Sequence, residues 1–422
     1  MHSVTNAIPT GTIASIPAKA HAHRALICAA LANSPSTILL SRTSKDIDAT
    51  MDSLRGLGAH VVYENKVVTV TPGPVPAKGN VVPHESGTTL RLLLPVAASI
   101  CNDVDVDAKG RLPDRPLEPM LSEMKAHGVT FSQDKPPFTM TGHLQGGHFS
   151  MVGDVSSQFF SGLLLAAPQI GLSTITATTP LQSSDYITLT TETMRDFGVE
   201  VEHTLPDTNI NEAFTVPFGA SFIGRDNYQI EGDWSNAAIW MVAAGMTGKP
   251  ITITGMNKNS VQADRRIMQV MIDAGCDVVW DGMNITVTGR ASKPIHADLE
   301  QMPDMLPVMA ALACSISGES SFIKGARLRL KESDRLIAVA NLVRDLGGTV
   351  REEGDDLYII GSGILKGGHG DCVNDHRLVM AGTLMALISE NPVTLKDSEA
   401  ITKSYPDFFE DWNLLGGDAH GI

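Results

Sequence analysis

The sequence predicts an α/β protein made of six repeated units grouped as two domains, and three observations carry that prediction. One short pattern recurs along the chain: an amphipathic helical stretch, a glycine, then a β run. The glycines are Gly58, Gly128, Gly198, Gly275, Gly347 and Gly416, spaced 70, 70, 77, 72 and 69 residues apart in a chain of 422. Glycine at these points suits helices that end in the left-handed backbone conformation. A second marker keeps the same register. It is an apolar helix rich in small residues, starting near Lys19, Gly87, Ser156, Trp234, Pro303 and Asp375, at spacings of 68, 69, 78, 69 and 72. The third observation is the long step between the third and fourth units, where residues 205–222 are polar and include Pro206, Asn209, Pro217 and Gly219. Such a stretch reads as a connector, placing a domain boundary near residues 225–231.

Within each unit the elements follow from periodicity. Residues 46–57, 117–127 and 264–274 are amphipathic and should lie on the outside, whereas 163–167 and 305–314 are apolar almost all round and should be buried. Residues 66–71, 251–254 and 284–288 read as strands between them.

Composition narrows the function. With 43% hydrophobic and 19% charged residues the chain is too apolar to be disordered. A net charge of -15 argues against a general nucleic-acid or anionic-membrane surface, so an anionic ligand would need a local basic cluster. Apolar runs such as 25–32 fall short of the roughly 20 residues of a membrane span. The first 17 residues lack the order of a signal peptide, and the five cysteines form no C-x-x-C pair. The expectation is a cytoplasmic protein with reduced, mostly buried thiols.

The starts of the apolar helices carry an unusual set of side chains: Lys19 with Arg24, Ser86-Gly87-Thr88-Thr89 with Arg91, Ser156-Ser157-Gln158, Asp304, and Asp375-His376-Arg377. Ser, Thr and Asp there can simply cap the helix. Arg in a first turn is opposed by the helix dipole, and its recurrence points instead to phosphate or carboxylate binding by N–H groups and cations together. Two further charged strings, 109–116 and 327–335, can be solvated runs. The second also suits an acid placed among cations, able to exchange protons.

These residues resemble the 5-enolpyruvylshikimate-3-phosphate synthase family over nearly the whole chain. The resemblance rests on Lys19-x-x-x-His23-Arg24-Ala25-Leu26, Ser86-Gly87-Thr88-Thr89-Leu90-Arg91, Arg111 with Asp114-Arg115-Pro116, Val155-Ser156-Ser157-Gln158-Phe159, Lys331-Glu332-Ser333-Asp334-Arg335, Asp375-His376-Arg377 and Lys403-Ser404-Tyr405-Pro406, all in family order. It implies a two-domain inside-out α/β barrel, each domain three βαβαββ repeats with buried parallel helices. Residues 18–230 would form the domain with most shikimate 3-phosphate contacts. Residues 1–17 plus 231–422 would form the other, with Asp304, Glu332 and part of the phosphoenolpyruvate clamp.

The implied reaction moves the enolpyruvyl group of phosphoenolpyruvate to the 5-hydroxyl of shikimate 3-phosphate and releases phosphate, in aromatic amino-acid (chorismate) biosynthesis. Lys19, Asp304 and Glu332 are the implied catalytic residues. Shikimate 3-phosphate would be held by Lys19, Ala20, Arg24, Ser156, Ser157, Gln158, Ser183, Tyr186, Asp304 and Lys331. Phosphoenolpyruvate would be held by Lys19, Gly87, Arg111, Gln158, Arg335, Arg377 and Lys403. No metal or organic cofactor is implied, the partners are these small molecules alone, and a monomer is expected.

The chain departs from the family pattern in places. Ala20 and Ala22 replace two hydroxyl residues, a loss that His21 or backbone N–H groups could offset; Glu85 stands where the family often has Asn, and Leu92 where proline is frequent. The competing readings are UDP-N-acetylglucosamine enolpyruvyl transferase, which has a reactive cysteine in the loop equivalent to 109–116, an inactive ligand-binding homologue, and a six-unit ring around DNA. The loop has no cysteine, Lys19, Asp304 and Glu332 are retained, and the apolar helices are polar only at their starts.

Overall fold

The computed structural model describes residues 1–207 and 211–422; Asn209, read above as part of the connector, lies outside them. Among the described residues there are twelve α-helices, two per repeat. They are α1 (Lys19–Ala30), α2 (Lys45–Gly56), α3 (Gly87–Ile100), α4 (Met120–Ala126), α5 (Ser157–Ile170), α6 (Asp185–Asp196), α7 (Trp234–Thr247), α8 (Ile267–Asp273), α9 (Leu306–Cys314), α10 (Arg335–Asp345), α11 (His376–Ala386) and α12 (Phe408–Leu414). Among the described residues no helix is long and apolar enough to cross a membrane.

The odd-numbered helices are the apolar ones. Every residue of α9 and α11 is buried, and so is α7 from Trp234 to Met246. The even-numbered helices bury one face: in α2 this is Ile47, Thr50, Met51 and Leu54, the i, i+3, i+4, i+7 spacing of an amphipathic helix. All six marker glycines follow even-numbered helices with φ between +87° and +103°. In each case the next residue donates its N–H five residues back, as Ala59 does to Leu54 (3.0 Å) and Gly348 to Val343 (2.8 Å). This is the Schellman cap, so the recurring glycine is a requirement of backbone geometry.

Each repeat builds a four-stranded sheet. In the second repeat Gly79–Val81 leads through α3 to Asp103–Val106, which pairs with it in parallel; α4 follows, and Thr130–Phe131 and Phe138–Thr141 form an antiparallel hairpin on Asp103–Val106. The third repeat runs Gly147–Met151, Ser173–Ala177, Ala213–Val216 and Glu202–Thr204 in sheet order. Its strand Ala213–Val216 lies inside the stretch read as a polar connector. Phe214 and Val216 point inward there, and two inward side chains in four residues leave little apolar signal.

The chain splits into two compact units, Pro17–Ile230 and Met1–Ile16 with Glu231–Ile422. Strand pairing explains the discontinuity. Gly11–Ala14 pairs in parallel with Ile251–Thr254, and His2–Val4 sits between Val393–Lys396 and Ala419–Gly421. In the Pro17–Ile230 unit the first repeat borrows its leading strand, Tyr228–Gln229, from the unit's far end. Each unit has its own apolar core around its three buried helices. The approach of α3 and α5 is close enough that a β-carbon at Gly162 would lie 2.5 Å from the carbonyl oxygen of Arg91. That proximity brings the polar first turns of the two helices within hydrogen-bond reach.

Candidate active site

In the Pro17–Ile230 unit the polar residues at the starts of α1, α3 and α5 form linked clusters. Ser86 and Ser156 do cap their helices, accepting from Thr89 N (3.2 Å) and Gln158 N (3.3 Å). Helix α1 begins after Ala18 with no side-chain cap. Lys19 Nζ donates to Asp46 Oδ2 in the first turn of α2 (2.8 Å). Gln158 is clamped from both ends: Arg91 Nη1 donates to its Oε1 (3.1 Å), and its Nε2 donates to Thr88 Oγ1 (2.9 Å). A buried chain of side chains, His23 to Thr50 (2.7 Å), Thr50 to Thr89 (2.7 Å) and Thr89 to Ser86 (2.8 Å), ties α1, α2 and α3 together. Burial, then Lys19 and Arg24, pushes the His23 imidazolium pKa well down, so this link is neutral.

Arg24 is 1% exposed, and the groups that receive its N–H bonds are all uncharged: Thr190 Oγ1 (2.7 Å), Ser161 Oγ (3.3 Å), and the carbonyls of Ala20 (2.7 Å) and Tyr186 (3.0 Å). Burial lowers it to about 10, so it stays charged at neutral pH. A buried cation whose hydrogen-bond acceptors bear no charge favours an anion nearby. Ser157 and Ser183 are buried, and Ser183 adopts a left-handed φ of +54° just before Tyr186. A non-glycine residue at such φ is uncommon, and such residues cluster at binding sites.

His21, between the two alanines, is engaged at one ring nitrogen. Its Nε2 meets the Tyr228 hydroxyl (2.8 Å), which donates to Asp196 (2.8 Å), and burial followed by Arg24 lowers its pKa to about 4. Arg111 is exposed, whereas Arg115 is 8% exposed with its guanidinium laid on Gly87. A β-carbon at Gly87 would lie 2.6 Å from Arg115 Nη1, so glycine is what lets this cation reach the start of α3.

In the other unit the charges gather at the starts of α9, α10 and α11. Asp304 sits on the short 3-10 turn that leads into α9, with Oδ1 2.7 Å from Arg335 Nη1 and 3.1 Å from Lys331 Nζ. Burial would raise its pKa, but Lys331, Arg335 and Arg377 together outweigh that and hold it well below the usual carboxylate range. Lys331 is pushed down by burial and partly restored by Asp304. Arg335, 1% exposed, also donates to Glu332 Oε2 (2.6 Å) and, from Nε and Nη2, to the two oxygens of Asp375 (3.0 and 3.2 Å). Four of its five N–H groups are thus committed to carboxylates.

Asp375 is fully buried, caps α11 through Arg377 N (2.9 Å) and accepts from Ser333 (3.0 Å). Arg377 Nη1 donates to the Ser235 carbonyl (3.0 Å) and Lys403 Nζ to the Asn374 carbonyl (2.7 Å). Asp264, hydrogen-bonded by Ser235 Oγ, is raised to about 6 by burial and by Asp304, against Arg377. Among the described residues no group of three or more His, Cys, Asp or Glu is arranged to hold a metal.

One unit therefore holds Lys19, Ala20, Arg24, Gly87, Ser156, Ser157, Gln158, Ser183 and Tyr186 in or beside linked helix starts, with Arg111 outside on the loop. The other holds Asp304, Lys331, Glu332, Arg335, Arg377 and Lys403 around one charge cluster. Sequence reasoning gave no role to Asp46, Arg115 or Asp264 and read Asp375 as a helix cap without its part as a counter-ion. For Arg115 a signal existed in Arg115-Pro116: the preceding Asp114 pairs outward with Lys135 (2.9 Å) and leaves Arg115 to turn inward. The others are counter-ions to cations 27 to 113 residues away in the chain, beyond any local pattern.

Helix starts furnished with Arg, Lys and Ser in two three-repeat α/β units are those of a protein suited to hold small phosphorylated and carboxylated molecules. The comparisons narrow this class. The chain belongs to the EPSP synthase (3-phosphoshikimate 1-carboxyvinyltransferase) family, whose pattern matches residues 7–412. It is 36% identical over 413 residues to the 3-phosphoshikimate 1-carboxyvinyltransferase of Clostridium kluyveri, covering 97% of this chain and 95% of that one. It is 35% identical over 418 residues to the enzyme of the same name from Methanocorpusculum labreanum, covering 97% of each. The solved EPSP synthase of Acinetobacter baumannii shares the fold, with a TM-score of 0.80 at 22% identity over 100% of this chain and 99% of that one.

Proposed function

We propose that this chain transfers the enolpyruvyl group of phosphoenolpyruvate to the 5-hydroxyl of shikimate 3-phosphate, releasing phosphate, as a cytoplasmic monomer. The observation that carries the reading is Asp304: a half-buried carboxylate kept ionised by Lys331 and Arg335, with Glu332 on the same arginine. An ionised Asp304 can take the proton of the 5-hydroxyl as that oxygen bonds to C2 of phosphoenolpyruvate, while Glu332, in its protonated form, delivers a proton to C3. Loss of a C3 proton and departure of phosphate from the tetrahedral intermediate then restore the double bond.

The Pro17–Ile230 unit supplies Lys19, Arg24, Ser156, Ser157, Gln158, Ser183 and Tyr186 toward shikimate 3-phosphate. Lys19, Gly87, Arg111 and Gln158 also serve phosphoenolpyruvate, with Arg115 laid on Gly87 at the start of α3. Arg377 and Lys403 give the other unit its cations for phosphoenolpyruvate, and Arg335 has one N–H left to add. Planar guanidinium forks and backbone N–H groups match phosphate and carboxylate oxygens, and their strength grows as water leaves.

Phosphate release should require both shikimate 3-phosphate and phosphoenolpyruvate and be insensitive to a chelator, because Lys and Arg carry the anion binding. Turnover with UDP-N-acetylglucosamine as acceptor instead would refute the assignment.

Ala20 allows a gain-of-contact test, since α1 has no side-chain cap and His21 is turned to Tyr228. Ala20→Ser should tighten shikimate 3-phosphate a few-fold: a hydrogen bond to a charged group is worth about 1.5–3 kcal/mol, less the desolvation of the new hydroxyl. Calorimetric titration checks this, and equal or weaker binding would mean that the position is already served.

A further inference from the structure

The first turn of α3 and the loop at 107–116 are packed together by two charged side chains, each laid on a glycine of the opposite segment. Arg115 of the loop covers Gly87 of the helix. In return Glu85, just before the Ser86 cap, covers Gly110 of the loop: a β-carbon there would lie 2.8 Å from both the carboxyl carbon and Oε2 of Glu85. Gly110 has a φ of +58°, and Lys109 N donates to the His84 carbonyl (2.6 Å), which fixes the two segments in this register. The loop carries Lys109, Arg111 and Arg115 against two acids of its own, Asp107, which accepts from Ala108 N (2.8 Å), and Asp114, which is turned away to Lys135. The half-buried carboxylate of Glu85 is therefore built into the rim of a helix start that Arg115 also covers.

We propose that Glu85 is a specificity-determining residue that weakens this subsite for anions. Its negative charge offsets part of the field of Arg115, Lys109, Arg111 and the α3 N-terminus, so that phosphoenolpyruvate is held loosely enough to be exchanged. The inference rests on the activity proposed above. Because Glu85 adjoins α3, while shikimate 3-phosphate is assigned mainly to α1 and α5, the effect falls on phosphoenolpyruvate. It acts through charge, so it must be screened by salt, which a purely structural contact would not be.

The test is steady-state phosphate release by the full chain, with shikimate 3-phosphate saturating and phosphoenolpyruvate varied, at low and high ionic strength. Glu85→Gln keeps the shape against Gly110 and removes the charge. Its KM for phosphoenolpyruvate should fall about three- to tenfold at low salt, the scale of one charge in a partly solvated setting. The gain should shrink at high salt, and the KM for shikimate 3-phosphate should stay within about twofold. Glu85→Asp, which keeps the charge, should remain much nearer the wild-type KM. An unchanged KM in Glu85→Gln would overturn the proposal, and so would a raised one, which would make Glu85 a tether of the loop. A wild-type protein that releases no phosphate would overturn both this and the activity it rests on, whereas an active wild type with an unresponsive variant overturns the role of Glu85 alone.

Discussion

Asp304→Asn and Glu332→Gln should each lower kcat by at least about 10²-fold while leaving the KM values within a few-fold, the pattern of a lost proton-transfer group. Both replacements preserve shape, and an amide oxygen at 304 can still accept from Arg335 Nη1. What disappears is the group that takes a proton at 304 and the group that gives one at 332. Asp304→Asn has a second signature, because Asp304 is what partly restores the proton on Lys331. Removing that negative neighbour lowers the Lys331 pKa further, so the alkaline limb of the pH profile should move to lower pH. Glu332→Gln leaves Asp304 in place and should shift that limb less. Stopped assays across pH separate the two, and wild-type turnover in either variant would take that residue out of the mechanism.

Arg335→Met should destabilise its unit by about 3–5 kcal/mol, the usual loss when one partner of a buried ion pair is removed. Arg335 satisfies both oxygens of Asp375, which is fully buried, and also reaches Asp304 and Glu332. Methionine fills much of the volume but leaves Asp375 only Ser333 and the Arg377 N–H as donors. In a unit of about 200 residues this corresponds to a fall in Tm on the order of 10 °C. Arg335→Lys should recover only part of it, since a single ammonium cannot reproduce a fork shared by three carboxylates. Calorimetry decides the matter, and a Tm for Arg335→Met within about 2 °C of wild type would mean that these carboxylates reorganise freely.

The repeat architecture was legible because its markers are local. A Schellman cap needs glycine at one position whatever the rest of the fold does, so six left-handed glycines announced six helix ends. A helix buried on all sides needs apolar residues on all sides, which set α7, α9 and α11 apart from the amphipathic helices. The strand Ala213–Val216 escaped because it is short and flanked by polar chain. The candidate site was legible as an inventory and less so as a wiring diagram. Lys19 and Asp46, or Arg335 and Asp375, are joined only by the fold. That Arg115 and not Arg111 lies against Gly87 follows from the path of the loop, which no local pattern discloses.

The exchange of strands at the chain's ends sets an order of assembly during synthesis. Once Ile230 has left the ribosome, the Pro17–Ile230 unit has every strand it needs, including Tyr228–Gln229 to complete its first sheet. The other unit does not: His2–Val4 must wait for Ala419–Gly421, which are made much later. At roughly 5–20 residues per second, synthesis from Ile230 to Ala419 keeps His2–Val4 waiting on the order of ten seconds or more while the Pro17–Ile230 unit is free to fold. The Pro17–Ile230 unit can thus form as a continuous stretch of chain, while the other unit closes only after its most distant strand has been made.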